Sequence, residues 1–132
     1  MSKINVIGIG YRPLDQKASE ALLTSTWVVI SDRLMEIFPS YAEYPEVQSR
    51  LKIINNVDDV MDFIAAAISI DSHAVIGLIA SGDPLFHGIG RRALDRFGSD
   101  IVELMPDLSC IQLASSRLKT SWDDAFLMSL HG

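Results

Sequence analysis

Residues 73–90 read HAVIGLIASGDPLFHGIG. His73 to Ala80 is the longest strand candidate in the chain. Such an apolar run predicts a strand covered on both faces. It stops at Ser81-Gly82-Asp83-Pro84. Glycine allows close backbone approach or positive φ, and proline holds the chain in place without an N–H. A helical pattern then runs from Ile89 to Phe97 and ends at Gly98, placed as a C′ glycine. Strand, tight turn and helix in this order point to a parallel α/β sheet.

The rest of the chain repeats the alternation. Ile4–Ile9 (INVIGI), Trp27–Ile30 (WVVI), Leu51–Ile54 and Ile101–Met105 (IVELM) predict strands. Gln16–Ser25, Asp32–Phe38, Asp58–Ile70 and Ser109–Leu118 predict helices, with Pro39 ending the second and Asp32 and Ser109 as N-caps. Asp58 and Asp59 stand at the end of their helix where the backbone dipole favours acids. Ser40–Arg50 predicts a loop, and Ala125–Leu130 (AFLMSL) a sixth strand. The fold class is therefore α/β, a parallel sheet between helix layers in a three-layer αβα domain. In such sheets ligands sit beyond the carboxyl ends of the strands. The loops 8–15, 81–88 and 106–109 occupy that edge.

Composition bounds the function. The chain has 132 residues, 48% of them hydrophobic and 21% charged, enough for one packed domain. A net charge of −6, with Arg91-Arg92 the densest basic spot, argues against nucleic acid and anionic membrane as partners. Cys110 is the single cysteine, so a disulfide framework is excluded and a reducing cytoplasm is the expected location. The N-terminal apolar run is too short to span a membrane and lacks a signal-peptide cleavage region. His73, His87 and His131 are scattered, and no metal site is expected.

Each motif has a plain reading beside a functional one. Gly8-Ile9-Gly10 invites a dinucleotide site, with Asp32 in place of a ribose-binding acid. However, Pro13 stands where the third glycine belongs, and the helix starts only after Asp15. No helix N-terminus then meets a pyrophosphate. The plain reading is a tight strand exit. Asp83 reads either as a turn cap or as part of a ligand loop, with Phe86 as a flat apolar surface. His87 reads as a turn histidine or a general base. Pro106-Asp107-Leu108-Ser109-Cys110 opens a helix whose free N–H groups suit a polar ligand atom, or is an ordinary capped start. Cys110 has no adjacent base, which disfavours a nucleophile.

These loops, in this order, resemble the tetrapyrrole methyltransferase family, which uses S-adenosylmethionine. The family's first motif is Gly-x-Gly-Pro-Gly-Asp; here it is Gly8-Ile9-Gly10-Tyr11-Arg12-Pro13. Its second is Gly-Asp-Pro followed by an aromatic and a glycine; here it is Gly82-Asp83-Pro84-Leu85-Phe86-His87-Gly88. Its third is Pro-Gly-(Val/Ile)-(Ser/Thr)-(Ser/Ala); here Asp107 replaces the glycine. The stretches VVISDRLMEIFP and SWDDAFLMSLHG resemble the cobalamin-pathway branch that methylates precorrin-7, or its cobalt form, at C5.

The resemblance implies several things. The cofactor contacts fall on Ser81, Gly82, Asp83, Phe86, Ser109 and Cys110, and the substrate contacts on Gly10, Tyr11 and Arg12. The family has two α/β domains with the ligands between them. Residues 1–120 then correspond to the N-terminal domain, and residues 121–132 to a linker and the first strand of a second domain. A homodimer acting on a corrin precursor is implied, with no catalytic base identified. The other reading is a non-catalytic domain or partner subunit lacking the complete cofactor pocket.

Overall fold

The computed structural model describes residues 1–86 and 88–128. Five parallel strands form one sheet: β1 (Lys3–Ile9), β2 (Trp27–Ile30), β3 (Leu51–Ile53), β4 (Val75–Ser81) and β5 (Val102–Met105), in the order β3-β2-β4-β1-β5. The helices are α1 (Gln16–Leu23), α2 (Tyr44–Val47), α3 (Val57–Ile70), α4 (Ile89–Phe97) and α5 (Cys110–Leu118).

Strand periodicity explains the layers. Side chains alternate between faces. Ile4, Val6, Val29, Ile76, Leu78 and Ala80 pack with Val60, Met61 and Ile64 of α3 and Ala93 of α4. Ile7, Ile9, Val28, Ile30 and Ile79 pack on the other face with Ala18 and Leu22 of α1 and with Leu34, Phe38 and Val47. Both faces are covered, as the apolar strands require. The expected three-layer α/β architecture is what forms.

Local signals place the helix ends. The Asp15 carboxylate accepts from the Ala18 amide and starts α1; Asn56 does the same for α3 through the Asp59 amide. Gly98, at φ 86°, ends α4.

Several expectations are corrected. Asp32–Phe38 is not an α-helix but two 3₁₀ turns, Leu34–Glu36 and Phe38–Ser40. Pro39 has no N–H to continue an i→i−4 ladder, so the chain turns in short 3₁₀ pieces there. Asp32 is not an N-cap; it pairs with Asn55 instead. The expected loop 40–50 contains α2 and a 3₁₀ turn, Gln48–Arg50, because Tyr44 and Val47 have an apolar surface to pack on. His73 lies before β4, with its amide bonded to the Asp71 carboxylate. The predicted strand Ala125–Leu130 does not form over residues 125–128, and its last two residues lie outside the described ones. A strand needs a neighbour for its backbone groups; Phe126 and Met128 are instead 88% and 70% exposed.

Candidate functional site

The site is built where β4, β1 and β5 end side by side. Gly8 is level with Ala80 and Ile9 with Ser81, while Ile7 is level with Met105. Their three loops therefore leave the same edge together. Gly82 joins them: its amide donates to the Ile9 carbonyl at 2.9 Å, and its carbonyl accepts from the Asp107 amide at 3.0 Å. A Cβ on Gly8 would stand 1.8 Å from the Gly82 oxygen. Gly82 has φ +60°, and a Cβ there would meet the Leu108 carbonyl at 2.8 Å. Both positions need glycine because main chain approaches main chain.

Beyond this junction lies a cleft of about 850 Å³. Ser81, Gly82, Asp83 and Phe86 line it from the β4 turn, and Ser109 and Cys110 from the start of α5. All six residues assigned to a cofactor from sequence thus border one cavity. Tyr11 borders it as well. Gly10 and Arg12 are turned to other partners. The Gly10 amide donates to the Tyr41 hydroxyl at 2.8 Å, and Arg12 binds Asp107. His87 lies outside the described residues.

The polar groups have definite bonding. One Asp83 carboxylate oxygen accepts from the Leu85 amide at 2.9 Å, so this residue does cap its turn. Ser109 heads a capping box: its hydroxyl accepts from the Gln112 amide, and the Gln112 side chain accepts from the Ser109 amide. Cys110, the first residue of α5, is exposed to the cleft.

Asp107, the sequence's departure from a glycine, faces away from the cleft. Its carboxylate accepts from the amides of Tyr11, Arg12 and Leu108 and from the Arg12 guanidinium. Burial alone would raise its pKa. These four donors outweigh burial and hold the carboxyl below its usual range. Asp107 is thereby a clamp on the β1 loop. Tyr41 supports the same loop from beneath; burial raises its phenol, which keeps the oxygen neutral while it accepts the Gly10 amide.

The sequence reading missed the far end of the cleft. Ser31 and Arg33 after β2, and Asn55 after β3, also line it. Ser31 and Arg33 lie in VVISDRLMEIFP, a stretch that carries the resemblance without pointing to the site, and Asn55 lies in no motif. They reach the site because β2 pairs with β4, which only the strand order reveals.

The sequence pattern of the tetrapyrrole (corrin/porphyrin) methylases matches residues 3–132. The chain belongs to this family. Among curated relatives, it is 27% identical over 134 residues to the probable cobalt-precorrin-7 C(5)-methyltransferase of Methanocaldococcus jannaschii, covering 98% of this chain and 60% of that protein. It is 40% identical over 57 residues to the cobalt-precorrin-7 C(5)-methyltransferase of Salmonella typhimurium, covering 43% of this chain and 28% of that one. The chain thus spans 60% or less of the length of these tetrapyrrole methylases. A crystal structure of the precorrin-6Y methylase of Archaeoglobus fulgidus superposes with a TM-score of 0.66 at 22% identity, over 92% of this chain and 59% of that one. At that identity the superposition establishes the methylase fold.

Proposed function

We propose that this chain forms the cofactor-binding part of an S-adenosylmethionine-dependent methyltransferase acting on a corrin-ring precursor, with a second domain completing the pocket. One observation carries the reading. The three loop motifs that resemble the family's converge on a single cleft, at the strand edge where α/β sheets bind ligands. The names of the relatives support a precorrin methylated at C5 as the substrate.

The residues present suit this cofactor. When bound, S-adenosylmethionine supplies a methyl group on a sulfonium, whose sulfur keeps the electron pair of the broken S–C bond. Asp83 is the one carboxylate among the described residues lining the cleft, and its second oxygen is available to a positive group. Phe86 and the ends of β2 and β4 (Ile30, Ile79, Ala80) supply apolar walls that exclude water. The capped start of α5 holds the Cys110 amide at the cleft as a hydrogen-bond donor. The chain's contribution is then binding and orientation of the reacting groups.

Calorimetric titration with S-adenosylhomocysteine tests the reading. The chain should bind it, and Phe86→Ala should weaken binding by about tenfold, as expected for loss of a buried apolar contact. Failure of the wild-type chain to bind would remove the cofactor assignment.

A further inference from the structure

We propose that Arg33 recognises the peripheral carboxylates of the corrin-type substrate, an inference that rests on the methyltransferase reading above. Arg33 is exposed and borders the cleft just after β2. It is the only lysine or arginine among the described residues that line it.

Among the described arginines only the side chains of Arg33 and Arg117 are without an ion pair or hydrogen bond, and Arg117 does not line the cleft. With 17 acids against 11 bases, most arginines have found a partner. Arg12, Arg91, Arg92 and Arg96 are paired with Asp107, Asp95, Asp58 and Asp62. Arg50 donates to the carbonyls of Leu23 and Glu46. Among the described residues, no carboxylate lies within ion-pair distance of Arg33.

The neighbouring acid is tied elsewhere. Asn55 accepts from the Asp32 amide at 2.8 Å and donates to the Asp32 carboxylate at 2.9 Å. That reciprocal pair turns Asp32 toward the β3 end, and buried Leu34 anchors the other side of the turn. The Arg33 main chain is held between two fixed points while its guanidinium stays unclaimed.

A free guanidinium at a cleft matches a carboxylate, which it can hold with two parallel hydrogen bonds. Two carboxylate sources exist, the amino-acid end of the cofactor and the rim of the macrocycle. The probes below separate the two, since each source has its own. Ser109 and Cys110 follow β5, and Arg33 follows β2, three strand steps away in the order β2-β4-β1-β5. At roughly 4.8 Å per step, that is about 14 Å across the sheet edge. Arg33 therefore stands on the β2 side of the cleft, one strand step from the β4 loop and three from Ser109 and Cys110. It also offers a cationic landing point for a polyanion on an otherwise acidic protein.

The test uses wild-type chain, Arg33→Gln and Arg33→Lys, with cobyrinic acid, its neutral methyl ester and S-adenosylhomocysteine as probes. Arg33→Gln should weaken cobyrinic acid by about tenfold or more, the effect of losing a charge-assisted hydrogen bond. Arg33→Lys should recover part of that loss. Affinity for S-adenosylhomocysteine and for the ester should be unchanged. Unfolding midpoints should match, since Arg33 is exposed. Equal binding of the acid by wild type and Arg33→Gln overturns the proposal. So does a loss of S-adenosylhomocysteine affinity in Arg33→Gln, which would assign the side chain to the cofactor. A wild-type chain that binds S-adenosylhomocysteine but no carboxylated corrinoid overturns this proposal alone. One that binds the acid through Arg33 but no S-adenosylhomocysteine overturns the cofactor reading alone. One that binds neither overturns both.

Discussion

Asp107 holds Arg12 twice: Oδ1 lies 2.9 Å from the guanidinium Nε, and Oδ2 lies 3.0 Å from the Arg12 amide. With the Tyr11 amide at 2.9 Å, this joins the β1 loop to the β5 loop through one buried side chain. The exposed Arg12 guanidinium contributes geometry; the half-buried bonds from the three amides contribute most of the energy.

Asp107→Asn should therefore destabilise the fold by about 2 kcal/mol at neutral pH, the scale of weakening charge-assisted bonds to a buried carboxylate. The loss should depend on pH. The folded-state pKa is lowered, so the stabilisation is full above the ordinary carboxyl value of 3.8 and disappears as pH falls through the lower folded value. Urea midpoints of wild type and variant should converge below that range. A gap that stays constant into acid would show that the charge is not what stabilises the loop.

Gly8→Ala should be far more damaging than its size suggests. The new methyl would overlap the Gly82 oxygen at 1.8 Å and crowd the Asp107 amide at 2.7 Å, and both neighbours are main chain. A cost above about 3 kcal/mol is expected, beyond the range of ordinary overpacking. Gly98→Ala is the milder case: nothing lies within 4 Å, so only the backbone conformation, φ 86° with ψ 159°, opposes it, at about 1–3 kcal/mol. Chemical denaturation of the two variants should rank them in that order.

Phe38 couples the core to the site. It is fully buried, stands edge-on to Tyr44 at 5.4 Å, and packs near Tyr41, whose hydroxyl receives the Gly10 amide. Phe38→Ala should cost about 3–5 kcal/mol. Amide exchange at Gly10 should accelerate more than at the β4 amides, because the Tyr41 support is released. Equal acceleration at both would mean that the damage is global rather than directed to the loop.

Cys110 provides a chemical reporter of the cleft. Its exposed thiol should react readily with iodoacetamide, and saturating S-adenosylhomocysteine should slow the reaction at least about fivefold if the ligand covers the start of α5. Unchanged alkylation in the presence of bound ligand would place the ligand elsewhere.

The strands and the longer helices were legible because their information is local. Apolar runs, the Ser109 cap and Gly98 act within a few residues of where they stand. The turn after β2 was misread as a helix because an apolar spacing shorter than two turns does not distinguish α from 3₁₀ geometry. The 125–128 segment was misread because an apolar stretch becomes a strand only when another strand accepts its hydrogen bonds.

For the site, the sequence by itself determined the glycine-rich strand exits and the capped start of α5, since these are backbone requirements written in residue type. Only the tertiary structure decided that Asp107 faces Arg12 rather than the cleft, and that Arg33 and Asn55 border it. Those facts depend on β2 lying beside β4 and β5 beside β1, pairings between segments tens of residues apart that no local pattern encodes.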